Sequence, residues 1–412
     1  MKLKAKAFFT EPILFYIIVI NYLKPDSFSN IGLPDTIVRI SAIWDRFFGI
    51  LVVFLCLLAM LKNHTNKIAD VIVFYGYKII GTVLVTYMAT HVLSGGGAFA
   101  HLRKLSIIWY LALALKYNYK ETITRMTYLL TIMVAINLVS ILLFPHGMYE
   151  DDNWQNYFLG YDNGHVVVFM PALFFATQHA YYTNKKRLLL INWMCILVSV
   201  VICRSGTTVA GIAILSFILI LIHCPAIRKV LFNWKTVFII ISGVFVFIII
   251  LRKQEAFQGL MMKYLGKDST FTGRIYLWDK ALEVFQQNKW MGTGDSADIN
   301  TAIFTLFNQE LSYAHNEILD LLVRSGIIGL SIYIICVART IYTIRNYKDL
   351  HSRTWLAFMA SYWLIMMFES YSSYFFYYLY FIMLISPRYW SNYTKGGNLR
   401  ENGQKNRKKL YL

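Results

Sequence analysis

Long apolar runs recur along most of the chain, and they constrain its fold more than any other feature. About twelve segments hold roughly 16 to 25 mostly apolar residues, and a helix needs about 20 to cross the hydrocarbon core of a bilayer. The 412 residues are 57% hydrophobic and 15% charged, whereas soluble domains carry about 25% charged residues. The sequence therefore predicts an all-α integral membrane protein with about 12 transmembrane helices.

The apolar runs give approximate positions for these helices, which alternate with short polar connections. We place them near residues 8–23, 46–61, 70–92, 105–115, 126–144, 163–183, 188–203, 207–223, 235–251, 315–338, 354–369 and 373–387. The predicted organisation is nine helices over residues 1–251, one large loop over 252–314, three helices over 315–390 and a basic tail over 391–412.

The distribution of charge predicts the orientation of these helices. The net charge is +18, and the basic residues fall in alternate connections such as 185–187 and 345–353, while the acidic stretch 150–152 lies in one of the connections on the opposite side. Because cytoplasmic loops collect Lys and Arg, this pattern predicts a plasma-membrane protein with both termini in the cytoplasm. The same rule accounts for the positive charge without a nucleic-acid partner, and it places the loop 252–314 on the outer face.

The large loop is predicted to carry short amphipathic helices rather than to be a disordered connection. Ile275, Trp278, Leu282 and Phe285 recur at helical spacing, so we expect an apolar stripe that lies on the membrane surface. The segment Gly292–Gly294 then predicts a turn at the end of this helix.

Two arginines and a histidine at the same predicted depth on the outer side suggest a binding site. They are Arg204, between two spans, and Arg274 and His315, in or beside the large loop. Each one alone is consistent with a side chain that only reaches the membrane interface. Together they match a diphosphate, since the guanidinium fork pairs with phosphate oxygens and histidine can act as a general base near neutral pH.

Four stretches between Thr270 and Leu330 resemble the signature of the O-antigen ligase and polymerase superfamily. They are TGRIYLW, KALEVF, MGTG and YAHNEILDLLVRSGIIGL. Two upstream stretches, GYDNGHVVVFM and CRSGTTVAG, are similar to other elements of the family, although Cys203 stands where the family usually has serine.

The resemblance implies a multi-span glycosyltransferase of the GT-C-like type that uses neither a metal ion nor another cofactor. By the matched motifs, His315 and Arg274 are the expected catalytic residues. The residues expected to bind the diphosphate or the glycan are Arg204, Arg274, Asn316 and Trp278.

The implied substrates are undecaprenyl-diphosphate-linked oligosaccharides at the outer face of a bacterial plasma membrane. The first interpretation is a polymerase that transfers the glycan to the next lipid-linked repeat unit of a capsule, exopolysaccharide or O-antigen. The alternative within the same family is a ligase that transfers it to another surface acceptor. A flippase of lipid-linked units and a non-catalytic assembly partner are the alternatives from other classes, and a chain-length regulator as a further partner stays open.

Overall fold

The protein is described by a computed structural model over residues 9–30, 39, 43–44, 47–56, 58, 98–151, 154–203, 205–227, 233–247, 274–294, 313–344, 349–371 and 374–390. The main helices are α1 (Pro12–Tyr22), α2 (Ala98–Tyr117), α3 (Tyr119–Leu143), α4 (Val166–Thr183), α5 (Arg187–Cys203), α6 (Gly206–His223), α7 (Trp234–Phe245), α8 (Arg274–Gln287), α9 (Glu317–Ile344), α10 (Leu350–Met366) and α11 (Tyr378–Ile385). The strands are β1 (Tyr149–Asp151), β2 (Trp154–Tyr157) and β3 (Gly160–Tyr161).

The described helices fit the predicted all-α membrane protein. Among them, three segments are long and apolar enough to cross a bilayer, namely Tyr119–Leu143, Gly206–His223 and Glu317–Thr343, and shorter apolar helices accompany them. The predicted span 70–92, most of the loop 252–314 and the tail 391–412 lie outside the described residues. The number of twelve spans, the domain boundaries and the orientation therefore stay predictions.

Helix α4 forms the centre of the bundle. Its residues 166–176 are all apolar and buried, and it is enclosed by α3, α5, α6, α10 and α11, as expected of a helix that has no polar face over these turns. Outer helices instead expose large apolar residues, such as Val201 at 71% and Phe217 at 62%. Exposed apolar surface of this kind suits contact with lipid.

A small antiparallel sheet in the order β1-β2-β3 precedes α4, and the sequence did not predict it. Two side chains of α3 hold it in place, because Asn137 Oδ1 accepts from the Leu159 N–H at 2.9 Å and Ser140 Oγ accepts from the Phe158 N–H at 3.1 Å. Strand β3 then continues directly into a 3₁₀ turn, Asp162–His165, which leads into α4. The sheet thus fixes where the chain enters the central helix.

Helix α8 confirms the predicted helix in the large loop but not its predicted place on the membrane surface. Its apolar side, with Leu277, Trp278 and Ala281 all buried, packs against α9. Ile275, Leu282 and Phe285 of the predicted stripe are only partly buried at the edge of this contact. The periodicity correctly identified a helix, but another helix covers its apolar face where we had expected lipid.

The α8–α9 contact depends on a kink in α9. Gly326 has φ 63° and ψ −166°, which interrupts the helix, and a left-handed φ favours glycine. The turn after α8 supplies hydrogen-bond partners for backbone groups of α9 at the kink. The N–H of Ile327 donates to Lys289 O at 2.8 Å, and Val323 O accepts from the N–H of Thr293 at 2.8 Å. The predicted glycine turn and the glycine-containing helix therefore form one interlocked unit.

Candidate active site

Arg274 and His315 meet at a third residue, Glu369. The terminal Nη2 of Arg274 donates to Glu369 Oε2 at 3.1 Å, and His315 Nδ1 lies 2.6 Å from Glu369 Oε1. Glu369 is buried, with 7% of its side chain exposed, while the side chains of Arg274 and His315 are 21% and 16% exposed. One carboxylate thus joins the two predicted catalytic residues while both keep access to solvent.

The helix ends explain how these side chains come together. Arg274 is the first residue of α8, His315 lies two residues before α9, and Glu369 lies three residues after α10. The span predicted over 354–369 ends at Met366, so Glu369 lies in a loop outside the helix. The site is therefore built from three helix ends that are distant in sequence.

The backbone on both sides of His315 is held by buried side chains. The Ala314 N–H donates to Asp320 Oδ1 at 2.9 Å, and the Asn316 N–H donates to Ser370 Oγ at 3.0 Å. His315 itself has a φ of 48°, in the left-handed region that a non-glycine residue rarely adopts. Strained residues persist where surrounding contacts enforce them, and they cluster at active sites.

Asn316 serves as the cap of α9. Its Oδ1 accepts from the N–H groups of Ile318 at 3.1 Å and Leu319 at 3.0 Å, which would otherwise be unpaired at the helix start. Its Nδ2 donates to Met367 O at 3.0 Å. The side chain is fully buried, which favours a positioning role over the predicted direct contact with substrate.

Trp278 is likewise fully buried. It packs between α8 and α9 in a cluster with Ala281, Ala314 and Val323. Ala314 directly precedes His315, so the indole supports the loop that carries the imidazole. The structure therefore favours a packing role for Trp278. Its role in substrate binding stays a prediction, because the buried indole is not exposed to a substrate in this structure.

Glu317 fixes the position of the loop that carries Glu369. Its Oε2 accepts the Tyr371 N–H at 2.9 Å. The three consecutive residues His315, Asn316 and Glu317 thus each contact the segment Met367–Tyr371. This pairing sets the distance between the imidazole and the carboxylate.

The charge state of Glu369 follows from its neighbours. Burial acts to raise the pKa of Glu369, but the hydrogen-bonded His315 and the Arg274 guanidinium together hold that pKa below the usual value of a glutamate. At neutral pH the carboxylate is ionised and can only accept hydrogen bonds. His315 must therefore carry a proton on Nδ1, and in its neutral form it presents an unprotonated Nε2 on the other side of the ring.

Arg204 lies outside the described residues, so its predicted place beside Arg274 and His315 stays a prediction. The following residue, Ser205, donates to Asn163 Oδ1, and Thr208 Oγ1 donates to the carbonyl oxygen of Asp162 at 2.7 Å. These bonds attach the start of α6 to the 3₁₀ turn Asp162–His165.

A metal site was not expected from the sequence. Among the residues that the structure describes, no group of three or more His, Cys, Asp and Glu could hold a metal ion. Residues 295–312 of the large loop, which include Asp295 and Asp298, lie outside the described residues.

Sequence reasoning missed Glu369 as a member of the site. The available signal was a single carboxyl at the end of an apolar run, and ionisable residues inside or beside membrane spans are commonly functional. That signal does not distinguish a site residue from an ordinary interfacial one. Its partners, Arg274 and His315, lie 95 and 54 positions away in the sequence, so only the fold reveals the contact.

Comparison with known proteins gives one family and no curated relative. Residues 191–334 match the family described as O-Antigen ligase. No curated protein matches the chain. The matched region includes Arg274 and His315, whereas Glu369 lies beyond it. Over this region, the match confirms the predicted resemblance to the O-antigen ligase and polymerase superfamily.

Proposed function

We propose that this protein is a membrane glycosyltransferase that polymerises lipid-linked oligosaccharide repeat units. The observation that carries the proposal is the shared contact of Glu369 with Arg274 and His315. It combines a cation for a departing diphosphate with an oriented base for an attacking hydroxyl. The family match favours this transferase class over a flippase.

Arg274 would bind the diphosphate of an undecaprenyl-diphosphate donor. Its described ion pair uses one terminal nitrogen, and a guanidinium carries five N–H donors, so further donors can meet phosphate oxygens. Charge develops on the diphosphate as the bond to the sugar breaks, and a fixed cation at that position stabilises the transition state. Arg204 is the second proposed contact for the same group.

His315 would act as the general base. Glu369 holds the proton on Nδ1, so Nε2 can accept the proton of the acceptor hydroxyl. The acceptor oxygen then forms a bond to the anomeric carbon while the bond from that carbon to the diphosphate oxygen breaks. The leaving undecaprenyl diphosphate takes the electron pair, and the proton stays on His315 until it returns to solvent.

An apolar cavity beside the site supports a lipid-linked substrate. It has a volume of about 590 Å³ and lies between α7, α9, α10 and α11, with aromatic walls that include Phe238 and Phe381. Two of its lining residues connect it to the site: Met367 begins the loop that carries Glu369, and Glu317 accepts a hydrogen bond from Tyr371 of the same loop. Part of a polyprenyl chain in this cavity would place its diphosphate near Arg274.

Polymerase and ligase differ in the acceptor, and the superfamily contains both. We favour the polymerase because such enzymes are numerous and divergent. In a deletion strain a polymerase leaves single lipid-linked repeat units, a ligase leaves polymer that stays on the lipid, and a flippase leaves units in the inner leaflet. The lipid-linked pool and its leaflet therefore separate the three functions, and a chain-length regulator would alter polymer length without abolishing transfer.

The test in purified protein uses three substitutions at the site. We expect Arg274→Ala and His315→Ala to lower the rate of transfer from a lipid-linked repeat unit by about 10²-fold or more. Arg274→Lys should restore part of the rate, since a point charge replaces the bidentate fork. Lys280→Ala is the matched control, because Lys280 lies on the same helix and pairs with Glu283 at the surface. Normal polymer from the two alanine variants, at normal abundance, would refute the assignment.

A further inference from the structure

The 3₁₀ turn before α4 forms a rigid polar corner next to the candidate active site. Asn163 Nδ2 donates to the hydroxyl oxygen of Tyr161 at 2.8 Å, and Asn163 Oδ1 accepts from Ser205. The carbonyl oxygen of Asp162 accepts from Thr208. We call Tyr161, Asp162 and Asn163 the polar corner. These bonds hold the side chain of Asn163, the hydroxyl of Tyr161 and the backbone at Asp162, and they involve neither Arg274 nor His315.

Packing brings the polar corner against the loop that carries Glu369. Gly164 lies directly on the ring of Tyr374, since a Cβ added to this glycine would lie 2.8 Å from Tyr374 Cε1. The Tyr374 N–H donates to Tyr371 O at 3.0 Å, which turns the chain back toward Glu369. The corner and the Arg274–Glu369–His315 cluster are therefore neighbours through a few packed residues.

Electrostatics agree with this proximity. Burial is the main reason that the pKa of Tyr161 is raised, while the charges of Asp162 and Glu369 raise it further and that of Arg274 opposes them. Tyr313, whose ring centroid lies 4.3 Å from that of His315, also has a raised pKa, mainly because of burial and then through Glu369. Both phenols stay neutral at physiological pH, and both remain partly exposed.

The chemistry of this side of the site differs from that of the Arg274 side. Asp162 lies in the corner, and Asp26 contributes a second carboxylate that covers Gly160. Carboxylates repel a diphosphate, but they accept hydrogen bonds from hydroxyl groups. Partly exposed tyrosine rings offer flat apolar faces together with a polar hydroxyl. A neutral sugar ring, with hydroxyls at its rim and C–H groups on its faces, matches this combination.

We propose that the polar corner, together with Tyr374, is the acceptor sugar subsite, which binds a hydroxyl-bearing glycan next to His315 while Arg274 binds the donor diphosphate. The proposal rests on the proposed transferase function and specifies which wall of the site recognises the acceptor. Tyr161 and Asp162 are then specificity-determining residues. They contact a sugar and not the leaving group.

Binding of the two halves of the substrate can be measured separately. The glycan probe is the strain's own repeat-unit oligosaccharide, released from its lipid by mild acid, and the lipid probe is undecaprenyl diphosphate without sugar. Both are titrated against the full-length protein in detergent. The variants are Tyr161→Ala, Tyr161→Phe, Asp162→Asn and Arg274→Ala. Tyr128→Ala is the matched control, since Tyr128 lies on α3 and is 47% exposed.

We expect the corner variants and Arg274→Ala to have opposite effects on the binding of the two probes. Asp162→Asn and Tyr161→Ala should weaken glycan binding about tenfold or more, the effect of one hydrogen bond to a charged group or one stacked ring, and should leave lipid binding unchanged. Arg274→Ala should do the reverse, and Tyr128→Ala should change neither. Tyr161→Phe keeps the ring and should bind the glycan better than Tyr161→Ala, which separates stacking from misfolding.

The outcomes distinguish the subsite from the proposed function. Glycan binding that is equal in wild type, Tyr161→Ala and Asp162→Asn overturns the subsite, even if transfer of the glycan is demonstrated. If the corner variants lose binding of both the glycan and the lipid probe while their thermal stability is unchanged, the subsite is also overturned. Corner-dependent glycan binding by a protein that transfers no sugar would support the subsite while contradicting the transferase.

Discussion

Substitution of Glu369 by glutamine tests whether the carboxylate organises the site. An amide has the same size, but it presents one acceptor oxygen and one donor nitrogen. It can accept from His315 only by turning its NH₂ group toward Arg274, or face Arg274 correctly only by turning the NH₂ group toward His315. In the first arrangement Arg274 faces a donor. In the second, the NH₂ group can donate only to an unprotonated Nδ1, which moves the His315 proton to Nε2, so Glu369→Gln cannot keep both the contact with Arg274 and an unprotonated Nε2.

The expected magnitudes follow from burial. Glu369 is 7% exposed and Arg274 is 21% exposed, so water screens the pair only in part. Leaving a charged group without its partner at such a position costs on the order of 1–3 kcal/mol. The rate should fall more than the stability, because the base loses its defined tautomer, and proton transfer by a positioned group contributes about 10²–10⁴-fold to the rate.

The assay compares single-turnover transfer and thermal unfolding in the same preparation. Glu283→Gln is the matched control, since Glu283 pairs with Lys280 at 3.1 Å on α8 and its side chain is 61% exposed. We expect the control to leave both rate and stability within experimental error of wild type. A Glu369→Gln protein with the wild-type rate would show that the carboxylate neither orients His315 nor organises the site.

Two further predictions concern the fold around the site. Gly326→Ala should lower the midpoint of thermal unfolding markedly, because φ at Gly326 is 63° and the added Cβ would overlap the backbone of Trp290. Gly243→Ala is the control and should be neutral, because nothing lies within 4 Å of its added carbon. Equal unfolding midpoints for the two variants would contradict the interlocked turn. Burial raises the pKa of Asp162 to about 6, so the folded protein holds this proton more tightly than the unfolded chain, and stability should fall as pH rises from about 4 to 6. The Asp162→Asn protein should lack that slope in a series of unfolding midpoints against pH, and parallel curves for the two proteins would refute the assignment.

The sequence predicted the elements better than it predicted their partners. Apolar periodicity identified the helix Arg274–Gln287 and the spans on either side of it, because side-chain pattern reports local geometry directly. The same pattern does not show whether the apolar face of a helix contacts lipid or packs against another helix. Trp278 therefore seemed available for substrate or lipid, although it is buried against α9.

The site was predicted in the same partial way. Arg274 and His315 stand out in sequence because charged side chains are costly near a membrane and need a reason to be there. The role of Gly326 could be recognised only after its left-handed φ and the backbone bonds to the turn after α8 were known. Tyr161 is brought near the Arg274–Glu369–His315 cluster by a sheet of three short strands. These strands are too short for an alternation of apolar and polar residues to be detected in the sequence.

The contacts of His315, Asn316 and Glu317 show why the family signature defines only part of the site. These three residues lie inside the matched region, and each contacts the segment Met367–Tyr371 beyond it. The signature therefore carries the guanidinium and the imidazole, while the carboxylate that relates them comes from the loop after α10. Because that loop is held at three successive positions, a change within it would shift the imidazole of His315 relative to the guanidinium of Arg274 without altering any residue of the signature. The family match therefore covers Arg274 and His315 but not Glu369, and the contact of Glu369 with both side chains is seen only in the fold.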